Sequence, residues 1–165
     1  MKKVVFDIET KNIFQDVGRA DPVLLDISVV CIYDYESDQY LSFLEEDFPK
    51  LWPYLEKADV LIGYNSDHFD IPLLNKYYPG DLTKIKSIDL MAEIKKSLGR
   101  RIGLGVVAEA TLGYGKSGNG LEAVTWWKEG KIDEIKKYMA AKKAKKAVKK
   151  ATKKVAKKKA TKKKK

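Results

Sequence analysis

The chain has 165 residues, 44% of them apolar, enough to bury the core of one domain with an appendage. No apolar run approaches the roughly 20 residues of a membrane span, and the acids at Asp7 and Glu9 break the first apolar stretch too early for a signal peptide. The formal charge of +10 conceals two unlike parts: residues 142–165 carry 15 lysines and no acid, whereas residues 1–141 carry 18 basic against 23 acidic side chains, a net of −5. We therefore expect a globular domain at 1–141 and a Lys/Ala-rich basic tail at 142–165.

The single cysteine, Cys31, lies in an apolar run and reads as a small core residue. It gives no sign of an oxidising compartment, so the expected location is cytoplasmic, with no membrane partner.

Val4 to Thr10 reads as a short buried strand. Lys11-Asn12-Ile13-Phe14 and the stretch from Gly18 to Pro22 read as a loop. Val23 to Tyr35 is rich in Leu, Ile and Val and predicts one long strand. A turn at Glu36–Gln39 and a strand from Tyr40 to Leu44 complete an antiparallel hairpin. Phe48, Leu51, Trp52 and Leu55 recur at helical spacing, with Pro53 keeping that helix short or bent. Asp59 to Gly63 predicts a compact buried strand, and Asp70 to Tyr78 a helix stopped by Pro79 and Gly80. A short strand at Lys84–Asp89 and helices at Asp89–Leu98, Leu104–Leu112 and Leu121–Lys128 follow, with Ile132 opening a last one. Early strands followed by alternating strands and helices predict an α/β fold with a mixed sheet.

The first strand carries the chemistry. Its side chains alternate, so Asp7 and Glu9 share one face. Desolvating either charge without a partner costs several kcal/mol. A divalent metal suits two close carboxylates with oxygen-only ligation. The plainer alternative is a frayed strand end whose acids face water. A second acidic position, Asp70, follows the compact strand through the loop Gly63-Tyr64-Asn65-Ser66-Asp67-His68-Phe69, where α/β sheets gather ligands. Asp70 equally suits a helix cap, and Asn65 a turn. His68, the only histidine, reads as a surface residue.

Asp7-x-Glu9 followed by Asn65-x-x-x-Phe69-Asp70 resembles the first two motifs of the DEDD 3′–5′ exonucleases, which have the ribonuclease-H-like three-layer fold. The flanks Gly63-Tyr64-Asn65, Phe69 to Leu74, Ile88-Asp89-Leu90, Ala108 to Gly113 and Leu121 to Trp127 resemble the predicted exonucleases related to family-B DNA polymerase proofreading domains. The resemblance spans about residues 2–139. It implies two-metal phosphodiester hydrolysis by Mg²⁺ or Mn²⁺ ions about 3.5–4 Å apart. Asp7 would bridge both ions, and Glu9 and Asp70 would each hold one. Thr10, Asn65 and Phe69 would lie against the nucleic acid.

The third motif of that family is Tyr-x-x-x-Asp. Tyr138 fits the tyrosine that orients the attacking water, but Lys142 stands where the aspartate belongs, one helical turn on. A protonated lysine ligates no magnesium. The site is then impaired, unless Glu134 compensates or the Lys142 ammonium replaces a metal's charge beside Asp7 and Glu9. The tail, with Lys142, Lys143, Lys145 and Lys146 at its start, has the lysine density of a polyanion-binding segment and resembles linker-histone tails in composition. Such binding to DNA or RNA is sequence-independent and salt-dependent. Ala110 to Ser117 fits a permissive phosphate-loop pattern but lacks the strand it needs in front. One of Trp126 and Trp127 is expected in the core, since neighbours on a helix point about 100° apart. The expected function is a 3′–5′ exonuclease-like protein with an impaired site. The alternative is a non-catalytic nucleic-acid-binding protein that kept the fold.

Overall fold

The computed structural model describes residues 1–113 and 120–138. The tail positions Lys142, Lys143, Lys145 and Lys146 lie outside them, as does the boundary at 141/142. Five strands form one mixed sheet: β1 (Lys3–Thr10), β2 (Ile27–Asp34), β3 (Gln39–Phe43), β4 (Val60–Gly63) and β5 (Ser87–Asp89), in the order β3-β2-β1-β4-β5. β1 is central. It runs antiparallel to β2, with Val4 opposite Asp34 and Glu9 opposite Val29, and parallel to β4, with Lys3 to Val5 opposite Val60 to Ile62. β5 runs parallel to β4 at one edge.

The helices are α1 (Phe14–Val17), α2 (Phe48–Glu56), α3 (Asp70–Asn75), α4 (Leu90–Leu98), α5 (Leu104–Leu112), α6 (Gly120–Lys128) and a helical segment α7 at 132–138. Alternation along β1 divides the molecule. Val4, Phe6 and Ile8 enter a core shared with Leu51 and Leu55 of α2 and Leu73 of α3. Asp7 and Glu9 occupy the opposite face, on which α6 packs against β1. Each fully buried leucine of this core contributes about 1.5–3 kcal/mol.

Several elements differ from expectation for local reasons. The long strand at Val23–Tyr35 is broken: Asp21 accepts the Val23 N–H at 3.2 Å and caps a 3-10 turn at Pro22–Leu24, so β2 starts only at Ile27. Between the two loop stretches lies the short helix α1, which takes Phe14 from the first of them; its Ile13 N–H is capped by Asp16 at 3.1 Å and its Phe14 ring meets Phe69 edge-on at 6.0 Å. α3 stops at Asn75, before Tyr78. The Asn75 side chain instead accepts the Leu82 N–H at 2.8 Å, opening a second 3-10 turn that shortens β5. Residues 110–112 are helical, which removes the strand a phosphate loop requires.

Candidate active site

β4 pairs with β1 only as far as Val5. Beyond that point β1 is paired only with β2 on its other side, leaving backbone groups on its β4 side to be satisfied otherwise. Asp70 does this: its Oδ1 accepts the Ile8 N–H at 3.2 Å. Asp70 is therefore no helix cap. It is the first residue of α3, and its carboxylate reaches across to the strand between Asp7 and Glu9.

The loop that delivers Asp70 is tightly constrained. Asn65 adopts the left-handed conformation, φ 63°, and its carbonyl accepts the Phe69 N–H at 3.0 Å. A Cβ on Gly63 would lie 2.3 Å from Cβ of Ser66, so only glycine lets the strand turn into this loop. Asp89, at the end of β5, accepts N–H groups from Asn65 (2.8 Å), Asp67 (3.3 Å), Met91 (2.9 Å) and Ala92 (3.3 Å). It caps α4 and pins the Asp70 loop at once. The sequence places Asp89 only at the end of a short strand and the start of a helix; its hold on the Asp70 loop depends on β5 lying beside β4.

Asp70 is only 6% exposed. Burial first, and then the charge of Asp7, push its carboxyl well above the usual carboxylate range, while the Ile8 N–H acts the other way. Asp7 itself is exposed. Glu9 is 9% exposed and turned toward α6: a Cβ on Gly120 would lie 3.6 Å from its Oε2. Thr10 follows a bulge and donates its hydroxyl to the Asn12 carbonyl at 2.8 Å. Tyr138 is buried, its ring 5.8 Å from that of Trp126. Trp127 is half-buried and lies under the Lys11 ammonium at 4.9 Å. His68 is exposed, as expected.

Of the predicted residues, Asp7 and Glu9 lie on the carboxyl-terminal half of β1 and Asp70 reaches it through the Ile8 N–H, while the ring contact of Tyr138 is to Trp126. The charge of Asp7 acts on Asp70. Among the described residues, no group of three or more acidic, histidine or cysteine side chains is close enough to hold a metal ion. The donor chemistry of Asp7 and Asp70 still fits a hard cation. Both are carboxylates, one is desolvated, and magnesium is commonly held by one or two carboxylates plus waters and substrate phosphate. Glu134 pairs with Lys137 at 2.8 Å. A hollow of about 580 Å³ between α6 and α7, lined by residues such as Trp126, Lys131 and Glu134, contains none of the β1 or α3 acids.

Among the described residues no helix is long and apolar enough to cross a membrane. No curated protein sequence matches the chain. Among solved structures, a family B DNA polymerase from the hyperthermophilic archaeon Pyrobaculum calidifontis is similar in fold, with a TM-score of 0.63 at 16% identity. The match covers 93% of this chain and 24% of the polymerase, so the chain spans about a quarter of that protein's length. The RNase H superfamily model matches residues 4–150. With that match over most of its length and a mixed sheet ordered β3-β2-β1-β4-β5, the chain belongs to the RNase H superfamily.

Proposed function

We propose that this chain is a nuclease-like protein of the 3′–5′ exonuclease type, acting on DNA or RNA. Asp7, Glu9 and Asp70 are its acidic residues, and Tyr138 is its water-orienting tyrosine. The observation that carries the reading is the convergence of Asp7 and Asp70, 63 positions apart, at the carboxyl end of the central strand. There Asp70 is buried, bonded to Ile8 N–H and pressed by the Asp7 charge. Burying a carboxylate beside another is costly unless a cation joins them. Mg²⁺ or Mn²⁺ held by Asp7 and Asp70 would polarise a phosphodiester and activate water. The chain's own contributions are to aim Asp70 through the Asp89-pinned loop and to present Asn65, Phe69 and Thr10 around the same strand end.

The site is impaired in this reading. Lys142 stands at the family's third-motif aspartate, and Glu9 sits against the first turn of α6. That position of Glu9 favours a second reading, a nucleic-acid-binding protein without catalysis. In both readings the tail at 142–165 adds sequence-independent attraction to phosphates.

Degradation of single-stranded DNA and RNA from the 3′ end in Mn²⁺ tests the proposal, with wild type, Asp7→Ala and Lys142→Asp compared. The expected result is slow loss of 3′ nucleotides by wild type, none by Asp7→Ala and a faster rate for Lys142→Asp. Binding without hydrolysis by all three proteins selects the second reading.

A further inference from the structure

We propose that the exposed ridge at the end of α4, centred on Arg100 and Arg101, is the track on which a single-stranded nucleic acid lies as it approaches Asp7 and Asp70. The inference rests on the nuclease reading and names the surface that guides its substrate. The globular part of the chain is acidic, yet residues 84–101 hold six basic side chains, Lys84, Lys86, Lys95, Lys96, Arg100 and Arg101, against two acids. All six are exposed. The two acids do little to cancel them. Asp89 is buried and occupied by backbone N–H groups, and Glu93 is paired with Lys96 at 2.6 Å. Among the described residues, neither Arg100 nor Arg101 has a salt bridge or an electrostatic partner.

The two arginines are also fixed in place relative to the site. Gly99, at φ 72°, ends α4 and donates its N–H to the Lys95 carbonyl at 2.8 Å. Three residues on, the Ile102 carbonyl accepts the Tyr64 hydroxyl at 2.5 Å. Tyr64 precedes Asn65 in the loop that delivers Asp70. Arg100 and Arg101 are thus suspended between a helix cap and the rim of the candidate site. Leu98, Leu104 and Val106, which are 60%, 46% and 63% exposed, flank them. Exposed apolar side chains on either side of two guanidinium groups that have no partner among the described residues suit a polymer with a charge at every unit and a flat apolar base between charges. A protein partner would call for an apolar centre depleted of charge.

The test is binding of a fluorescent 12-nucleotide oligothymidine to the full chain in Ca²⁺, followed by anisotropy across a salt series. Arg100→Glu/Arg101→Glu is compared with a charge-matched control on α2 and its C-terminal cap, Lys50→Glu/Lys57→Glu, and with the milder Arg100→Gln/Arg101→Gln. All are checked for an unchanged melting midpoint. We expect the ridge variant to bind about tenfold more weakly, with the slope of log K against log salt shallower by about 1.4, the loss of two single-strand phosphate contacts. The glutamine pair should give a smaller loss in the same direction, and the control should stay within about twofold of wild type. Equal weakening by the control would overturn the ridge and leave only net charge. Wild-type affinity in the ridge variants would overturn it while the nuclease reading stands. A wild type that neither binds nor degrades single strands would end both. A loss of self-association in the ridge variants, with oligonucleotide binding intact, would reassign the surface to a second copy of this chain.

Discussion

Asp70, at the start of α3, and Asp89, at the end of β5, are equally buried, each 6% exposed, and they live in opposite environments. Asp89 receives four backbone N–H groups from two chain segments. Asp70 receives the N–H of Ile8 and its own, and faces the charge of Asp7 and, less strongly, that of Asp89. The first arrangement is saturated and holds the loop and α4 together. The second leaves a desolvated carboxyl beside a like charge, stable only if it keeps a proton or gains a cation. Depth of burial alone separates nothing here. The number and sign of the partners distinguish a structural acid from a chemical one.

The largest test of this contrast is Asp89→Ala. It orphans four N–H groups, two of them in the loop that positions Asp70. We expect a loss of about 3 kcal/mol or more in urea unfolding, with most local amide protection lost between Asn65 and Ala92. A loss below about 1 kcal/mol would show that solvent replaces the carboxylate and that Asp89 does not pin the loop. Gly63→Ala comes next. Its Cβ would press into Ser66, costing about 1–3 kcal/mol and displacing Asp70 from Ile8. Chemical-shift changes centred on Ile8 and Asp70 would confirm where the strain goes.

The smallest effect has the opposite sign. Asp70→Asn keeps an oxygen for Ile8 N–H and removes the buried charge. The folded-state pKa of Asp70 is raised, so the native state binds the extra proton. Its contribution is fully present below the ordinary carboxylate range and is lost as pH rises through the raised value. Without metal, wild type should therefore lose stability as pH rises above the ordinary range, and Asp70→Asn should show a flatter profile and a higher melting midpoint at neutral pH. Added Mn²⁺ should raise the midpoint of wild type and leave that of Asp70→Asn unmoved. A variant less stable than wild type at neutral pH would mean that Asp70 is held by partners stronger than Ile8 N–H.

Much of this molecule was legible in the order of its residues. Alternation in Val4 to Thr10 placed Asp7 and Glu9 on one face and Val4, Phe6 and Ile8 on the other, because a strand has a period of two wherever it sits. Helical spacing located α2, and α5 spans the residues expected for it. The breaks at Pro22–Leu24 and Asn75 were hidden because they depend on side chains capturing particular N–H groups: Asp21 that of Val23, and Asn75 that of Leu82. The candidate site divides in the same way. Its residue types and their approximate neighbourhood follow from motif and strand end. That Asp70 bonds to Ile8, that Glu9 leans on α6 and that Asp89 supports the whole loop follow only from the order of strands. β4 lies beside β1 and ends early, and β5 brings Asp89 alongside. Local sequence sets which groups a residue offers. Only the folded chain decides which offers are accepted, since a buried polar group bonds to whatever the tertiary structure brings within about 3 Å.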